Sequence, residues 1–132
     1  MIFTIKYKTG SHWGIGEYYW DDKRNRKDGL ADTIIIHSAS TVTADADMTR
    51  AQALAHEIGH ALTHREIKCQ DFDTLVMRRE IIAWRFAKAI CPPSEWNEDI
   101  AIDCLTTYAK THLAAHAFSG DFPIIPIQIL ED

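Results

Sequence analysis

Ala55-His56-Glu57-Ile58-Gly59-His60-Ala61 lies near the middle of the 132-residue chain, and the rest is best read outward from it. Around it Ala51, Leu54, Ile58 and Leu62 recur at spacings of three and four, the period of an amphipathic helix. Thr43 to Asp47 supplies several residues able to cap its start, so the spacing predicts a helix over about 47–64. On such a helix, positions i and i+4 differ by about 40° in azimuth and about 6 Å in rise. His56 and His60 can therefore aim their imidazoles at one point, where a tetrahedral metal ion fits. Glu57 lies about 100° round the same helix, placed to reach a water on that metal rather than the metal itself. Gly59 is costly inside a helix, by about 1 kcal/mol against alanine, and is easiest to understand where another backbone or a ligand approaches closely. The plainer alternative is an amphipathic helix with two histidines on its edge.

Toward the C-terminus, Leu75, Ile82, Phe86 and Ala89 form an apolar stripe that predicts a second helix over about 72–91, stopped by Pro92-Pro93. A catalytic zinc site takes three protein ligands and keeps one position for water, so a third donor is required. Glu80 is the choice: it is the only acidic residue between Asp73 and the prolines, and it lies far enough beyond His60 for the chain to turn back. Its plainer reading is an exposed helix charge beside Arg78 and Arg79. Ser94 can cap a third helix over about 94–118, and the proline-broken tail, 119–132, reads as extended, packed as an edge or over a groove.

Toward the N-terminus, Phe3, Ile5 and Tyr7 alternate with Thr4, Lys6 and Lys8 as in a half-buried strand, which Gly10, Gly14 and Gly16 then break. Glu17 to Trp20 and Thr33 to His37 are two further strand candidates, separated by a polar stretch from Asp21 to Gly29. Residues 1–40 thus read as a small antiparallel sheet, and the whole chain as one α+β domain of a sheet followed by three main helices.

The combination His56-Glu57-Ile58-Gly59-His60, then Glu80-x-x-Ala83-x-x-Phe86-Ala87-x-x-Ile90 and Pro92-Pro93, resembles the ImmA/IrrE family of zinc metallopeptidases. The resemblance covers roughly residues 47 to 93, with Trp84 standing where that family usually carries asparagine. It implies a minimal, gluzincin-like zincin domain with one zinc ion held by His56, His60 and Glu80, and Glu57 as general base. It also implies a protein substrate such as a helix-turn-helix repressor, in a bacterial or phage setting. The expected activity is thus that of a zinc-dependent endopeptidase. Its rival is a non-catalytic, zinc-stabilised interaction module in which a fourth ligand, His64 or an aspartate, closes the site.

His64 continues the i, i+4 series but lies about 6 Å past His60, too far for the same ion and better placed as a neighbour of the site. His112 and His116 repeat the spacing without an adjacent glutamate, and read first as a helix-face pair. His112 or Tyr108 would stabilise a transition state if their helix borders the cleft. The strand at Thr33 to His37 is a candidate to pair with an extended substrate.

A net charge of −5 argues against nucleic acid as a direct partner, since phosphate binding depends on clustered Lys and Arg. The one basic run, Lys23 to Lys27, is flanked by Asp21, Asp22 and Asp28 and reads as a solvated turn. Three cysteines, Cys69, Cys91 and Cys104, form no CxxC pair and cannot all pair within the chain, which favours a reducing compartment. With no signal-peptide pattern and no membrane-length apolar run, the cytoplasm is the expected location.

Overall fold

A computed structural model of the chain describes residues 3–63, 72–107 and 117–118, apart from the side chains of 72–74. The elements in chain order are β1 (Thr4–His12), β2 (Gly16–Tyr19), α1 (Lys23–Lys27), β3 (Thr33–Ser40), α2 (Arg50–Thr63), α3 (Phe72–Ile90) and α4 (Glu98–Thr106). Short 3-10 turns at Thr43–Asp45 and Pro93–Glu95 precede α2 and α4. The fold is α+β, as the sequence implies.

The sheet is not wholly antiparallel. Its order is β1-β3-β2, with β1 parallel to β3 and β2 antiparallel to it. The segment between β1 and β3 is long enough to carry the chain past β3, lay β2 on its far side and bring β3 back into the middle, which a direct hairpin could not do. Thr33 to His37 are buried without interruption, the signature of a central strand covered on both faces. β1 is instead exposed over most of its length, with Ile5 43% and Tyr7 52% accessible, so its alternation marks an edge strand rather than a half-buried one. Gly10 does not end β1. It adopts φ 102° at a register shift between Lys8 and Ser11, a conformation open to glycine, and the strand resumes to His12.

α2 starts at Arg50 rather than near Asp47, because Thr49 caps it: its hydroxyl accepts from the Gln52 backbone N–H at 3.1 Å. The Thr49 hydroxyl also donates to the carbonyl of Glu95 at 2.8 Å. The fully buried Gln52 side chain exchanges two hydrogen bonds with the Asn97 backbone, at 2.9 and 2.8 Å. Asn97 in turn caps α4 by accepting from Ile100, so the cap is Asn97 and not Ser94, which belongs to the preceding 3-10 turn. Residues from 108 onward that were expected to extend this helix lie outside the described set, apart from 117–118, as does the tail at 119–132.

α2 lies between β2 and β3 on one side and α3 on the other. This position explains why its buried set, Gln52, Ala53, Ala55, Glu57, Gly59, Ala61 and Thr63, differs from the expected stripe: small residues face close neighbours, while Leu62 is 46% exposed. α3 likewise buries Arg78, Ile81, Ala83, Trp84 and Ala87, whereas Phe86 and Ala89 of the expected stripe are exposed. Ile34, Ile36, Ile81, Trp84, Ala87, Ala101 and Leu105 form the centre of the core. The basic run at Lys23 to Lys27 is a short helix with no buried residue, capped by Asp22, and so is solvated although not a simple turn.

Candidate metal centre

The contact of α2 with α3 is close enough to exclude a side chain at Gly59. A Cβ there would come within 2.9 Å of the Ala83 Cα, and nearer still to its carbonyl oxygen. Such an approach needs glycine on one helix and a small residue on the other, and it draws Glu80, one turn before Ala83, over the histidine face of α2. The Glu80 carboxylate accepts from His56 Nε2 at 2.9 Å through one oxygen and from His60 Nε2 at 3.1 Å through the other. Glu80 is only 12% exposed at its side chain, so it is no surface charge. The two imidazoles, with centroids 4.6 Å apart, are tilted by 57°, which lets the in-plane directions of their Nε2 atoms converge.

Trp84, on the next turn of α3, stacks on the His56 ring at 3.9 Å and 10° and fixes its plane from behind. The sequence marked Trp84 only as a departure from the pattern it resembles, and no local spacing pointed to a ring backing His56.

Electrostatics follow from burial. His60 loses solvation, which disfavours its charge, but the Glu80 carboxylate outweighs this and holds the metal-free imidazole at about 9. Burial also works against the Glu80 charge, yet the His60 and His56 rings keep its carboxyl well below the ordinary range. Glu57, 6% exposed, is pushed upward by desolvation, only partly offset by His56 and His60. Its Oε1 lies 3.6 Å from His56 Nδ1, beside the donor set but outside it.

These groups open into a cleft of about 690 Å³ whose other wall is the end of β1 and β2. β2 presses on Glu57: a Cβ on Gly16 would stand 2.9 Å from Glu57 Cγ. Next to it, Glu17 accepts from His37 Nε2 at 2.8 Å and from the Tyr19 hydroxyl at 2.9 Å. Burial opposes the Glu17 charge, but the bonds from His37 and Tyr19 and the nearby His12 hold its carboxyl below the ordinary value. The His12 and His37 rings stack at 4.0 Å and 4°. None of His12, Glu17, Tyr19 and His37 was singled out in the sequence as a site residue, because they meet only when the three strands assemble. Cys104 also lines the cleft, but burial and then neighbouring carboxylates push its thiol up to about 12, leaving it a poor nucleophile.

The donor chemistry suits one zinc ion: two imidazole nitrogens and a carboxylate, with one ligand atom from each within 4.8 Å of the others. His64, Tyr108, His112 and His116 lie outside the described residues. No described helix is long and apolar enough to cross a membrane. Comparison with protein-family models, with curated proteins and with solved structures finds no match.

Proposed function

We propose that this chain is a zinc-dependent endopeptidase of the kind its resemblance to the ImmA/IrrE family implies, acting in the cytoplasm on a regulatory protein such as a helix-turn-helix repressor. The observation that carries the reading is the Glu80 carboxylate seated between His56 Nε2 and His60 Nε2, with Glu57 beside them in the same cleft. His56, His60 and Glu80 would hold the ion. Zinc, when bound, supplies a Lewis acid that polarises a peptide carbonyl and lowers the pKa of water from about 15.7 toward about 7.

The chain's own groups do the rest. Glu57 takes the proton of the attacking water and returns it to the leaving amine, and the burial that raises its pKa makes it a stronger base than an exposed carboxylate. Trp84 keeps the His56 ring in the plane its Nε2 needs. β3 is central, paired on both sides, so it has no edge to offer a substrate as the sequence suggested. β2 is the edge on the cleft side among the described residues, and an extended peptide can pair there with its side chains against Trp13 and Trp20, which line the cleft and are 74% and 39% exposed.

Glu57→Gln tests the reading. The variant is expected to keep its zinc, lose about 10²- to 10⁴-fold in hydrolysis, and retain substrate for capture from the native host. Full hydrolysis by a zinc-loaded Glu57→Gln protein overturns the base assignment. A chelator that unfolds the protein, rather than only silencing it, favours the interaction-module alternative.

A further inference from the structure

A second set of metal-type donors gathers at the sheet side of the cleft, with His12 and Glu17 lining it and His37 behind them. His12 ends β1, Glu17 lies in β2 and His37 in β3, and one ligand atom from each lies within 4.8 Å of the others. His12 Nδ1 is 3.1 Å from the Gly14 carbonyl oxygen. A carbonyl only accepts, so Nδ1 carries a proton, and Nε2 is the ring nitrogen left for an ion. That nitrogen faces Glu17 Oε1 at 3.8 Å, too far for a direct hydrogen bond. A separation of 3.8 Å lets both atoms bind one ion at about 2 Å each. The arrangement also has the supports that proteins give to metal ligands: a ring anchored through Nδ1–H to a backbone carbonyl, and a carboxylate held by the Tyr19 hydroxyl.

We propose that His12, Glu17 and His37 form a second binding site for a divalent metal of the zinc type, filled after His56, His60 and Glu80. The order follows from ring geometry. An imidazole nitrogen binds an ion in the plane of its ring, and the parallel planes of His12 and His37, stacked at 4.0 Å, cannot both contain one ion. One ring must turn. His12 is the one with room, its side chain being 31% exposed against 8% for His37. Binding displaces an Nε2 proton to solvent from His37 here and from His56 and His60 at the first site, so proton release does not set the order. The first site needs no such opening, because its rings are already tilted. Imidazole and carboxylate donors select zinc or a neighbouring transition ion over magnesium or calcium.

Metal counting decides the matter, and it does so whether or not the peptidase reading holds. The metal-stripped full chain is titrated with zinc alone at near-neutral pH, and bound metal is measured after equilibrium dialysis and by calorimetry. Two unequal equivalents are expected. His12→Ala and, separately, Glu17→Gln should each weaken the second by at least about tenfold and leave the first unchanged. Because the His12 ring is partly exposed, His12→Ala is expected to fold, and circular dichroism checks both variants. His56→Ala with His60→Ala should remove the tighter equivalent and keep the weaker. A single equivalent in the unmodified chain overturns the proposal, as does a second equivalent that survives unchanged in both His12→Ala and Glu17→Gln.

Discussion

The cleft has two walls, and each presents a glutamate set between two histidines, although on the sheet side His37 lies behind the lining formed by His12 and Glu17. On the helical wall Glu80 holds both rings at 2.9 and 3.1 Å, and the rings are tilted by 57°. On the sheet wall Glu17 holds one ring at 2.8 Å, the second stays at 3.8 Å, and the rings are parallel to within 4°. The composition is the same and the geometry is opposite. Two positions one helical turn apart splay their side chains around a common axis, so the in-plane directions of their Nε2 atoms converge. His12 and His37 lie on neighbouring strands without being opposite each other, His12 pairing with Ser40 and His37 with Lys8, and their rings stack flat. Donor type alone therefore does not rank the two clusters; the backbone beneath them does.

The largest effect that can break this comparison is loss of the helical pair. His56→Ala is expected to weaken the tight zinc equivalent by more than about a hundredfold, while His12→Ala leaves that equivalent within about twofold. Equal losses in zinc titration would mean that the two walls form one shared centre. Next comes Gly59→Ala, which drives a methyl into the Ala83 backbone. Overpacking of this kind costs about 1–3 kcal/mol or more, and by moving α3 it should pull Glu80 away from the histidines. Thermal unfolding and zinc titration should both register it, with the weaker equivalent spared.

pH sharpens the contrast without any mutation. In the metal-free protein the folded state holds His60 at about 9, above the ordinary histidine value of 6.5. The stability this provides is fully present below that ordinary value and is lost as pH rises through about 9. Melts of the metal-free chain should fall across this window, and His60→Gln should flatten the fall. Zinc competes with the His60 proton, so the rise in melting temperature on adding zinc should grow over the same range. The smallest effect belongs to Gly16→Ala, whose methyl meets Cγ of the buried Glu57 side chain, which must shift, rather than a backbone. Stability should change by less than about 1 kcal/mol and the tight equivalent should be kept, while hydrolysis of the captured substrate drops by up to about tenfold through displacement of Glu57. Unchanged hydrolysis would show that β2 does not position the base.

Much of the helical wall was legible because its chemistry is local. His56, Glu57 and His60 are placed by helix period alone, and the pairing of Glu80 with them followed from the need for a third donor on the next helix. Gly59 also announced itself, since a glycine in mid-helix asks for a close neighbour, and Ala83 is that neighbour. The faces of the helices were less legible. The stripe through Leu62 and Phe86 suggested a single buried side, but α2 is enclosed by sheet and helix, and small residues rather than large ones mark its closest contacts.

By itself, the sequence determined an α+β domain and the one-turn histidine pair with its adjacent glutamate, because helix period and strand alternation are set by bonds between near neighbours in the chain. Only the tertiary structure decided that β3 lies in the middle with β1 parallel to it, that Trp84 backs His56, and that His12 stacks on His37 beside Glu17. Those contacts join residues distant in the chain, and their partners are chosen by strand order, register and the burial of whole faces, which no local spacing encodes.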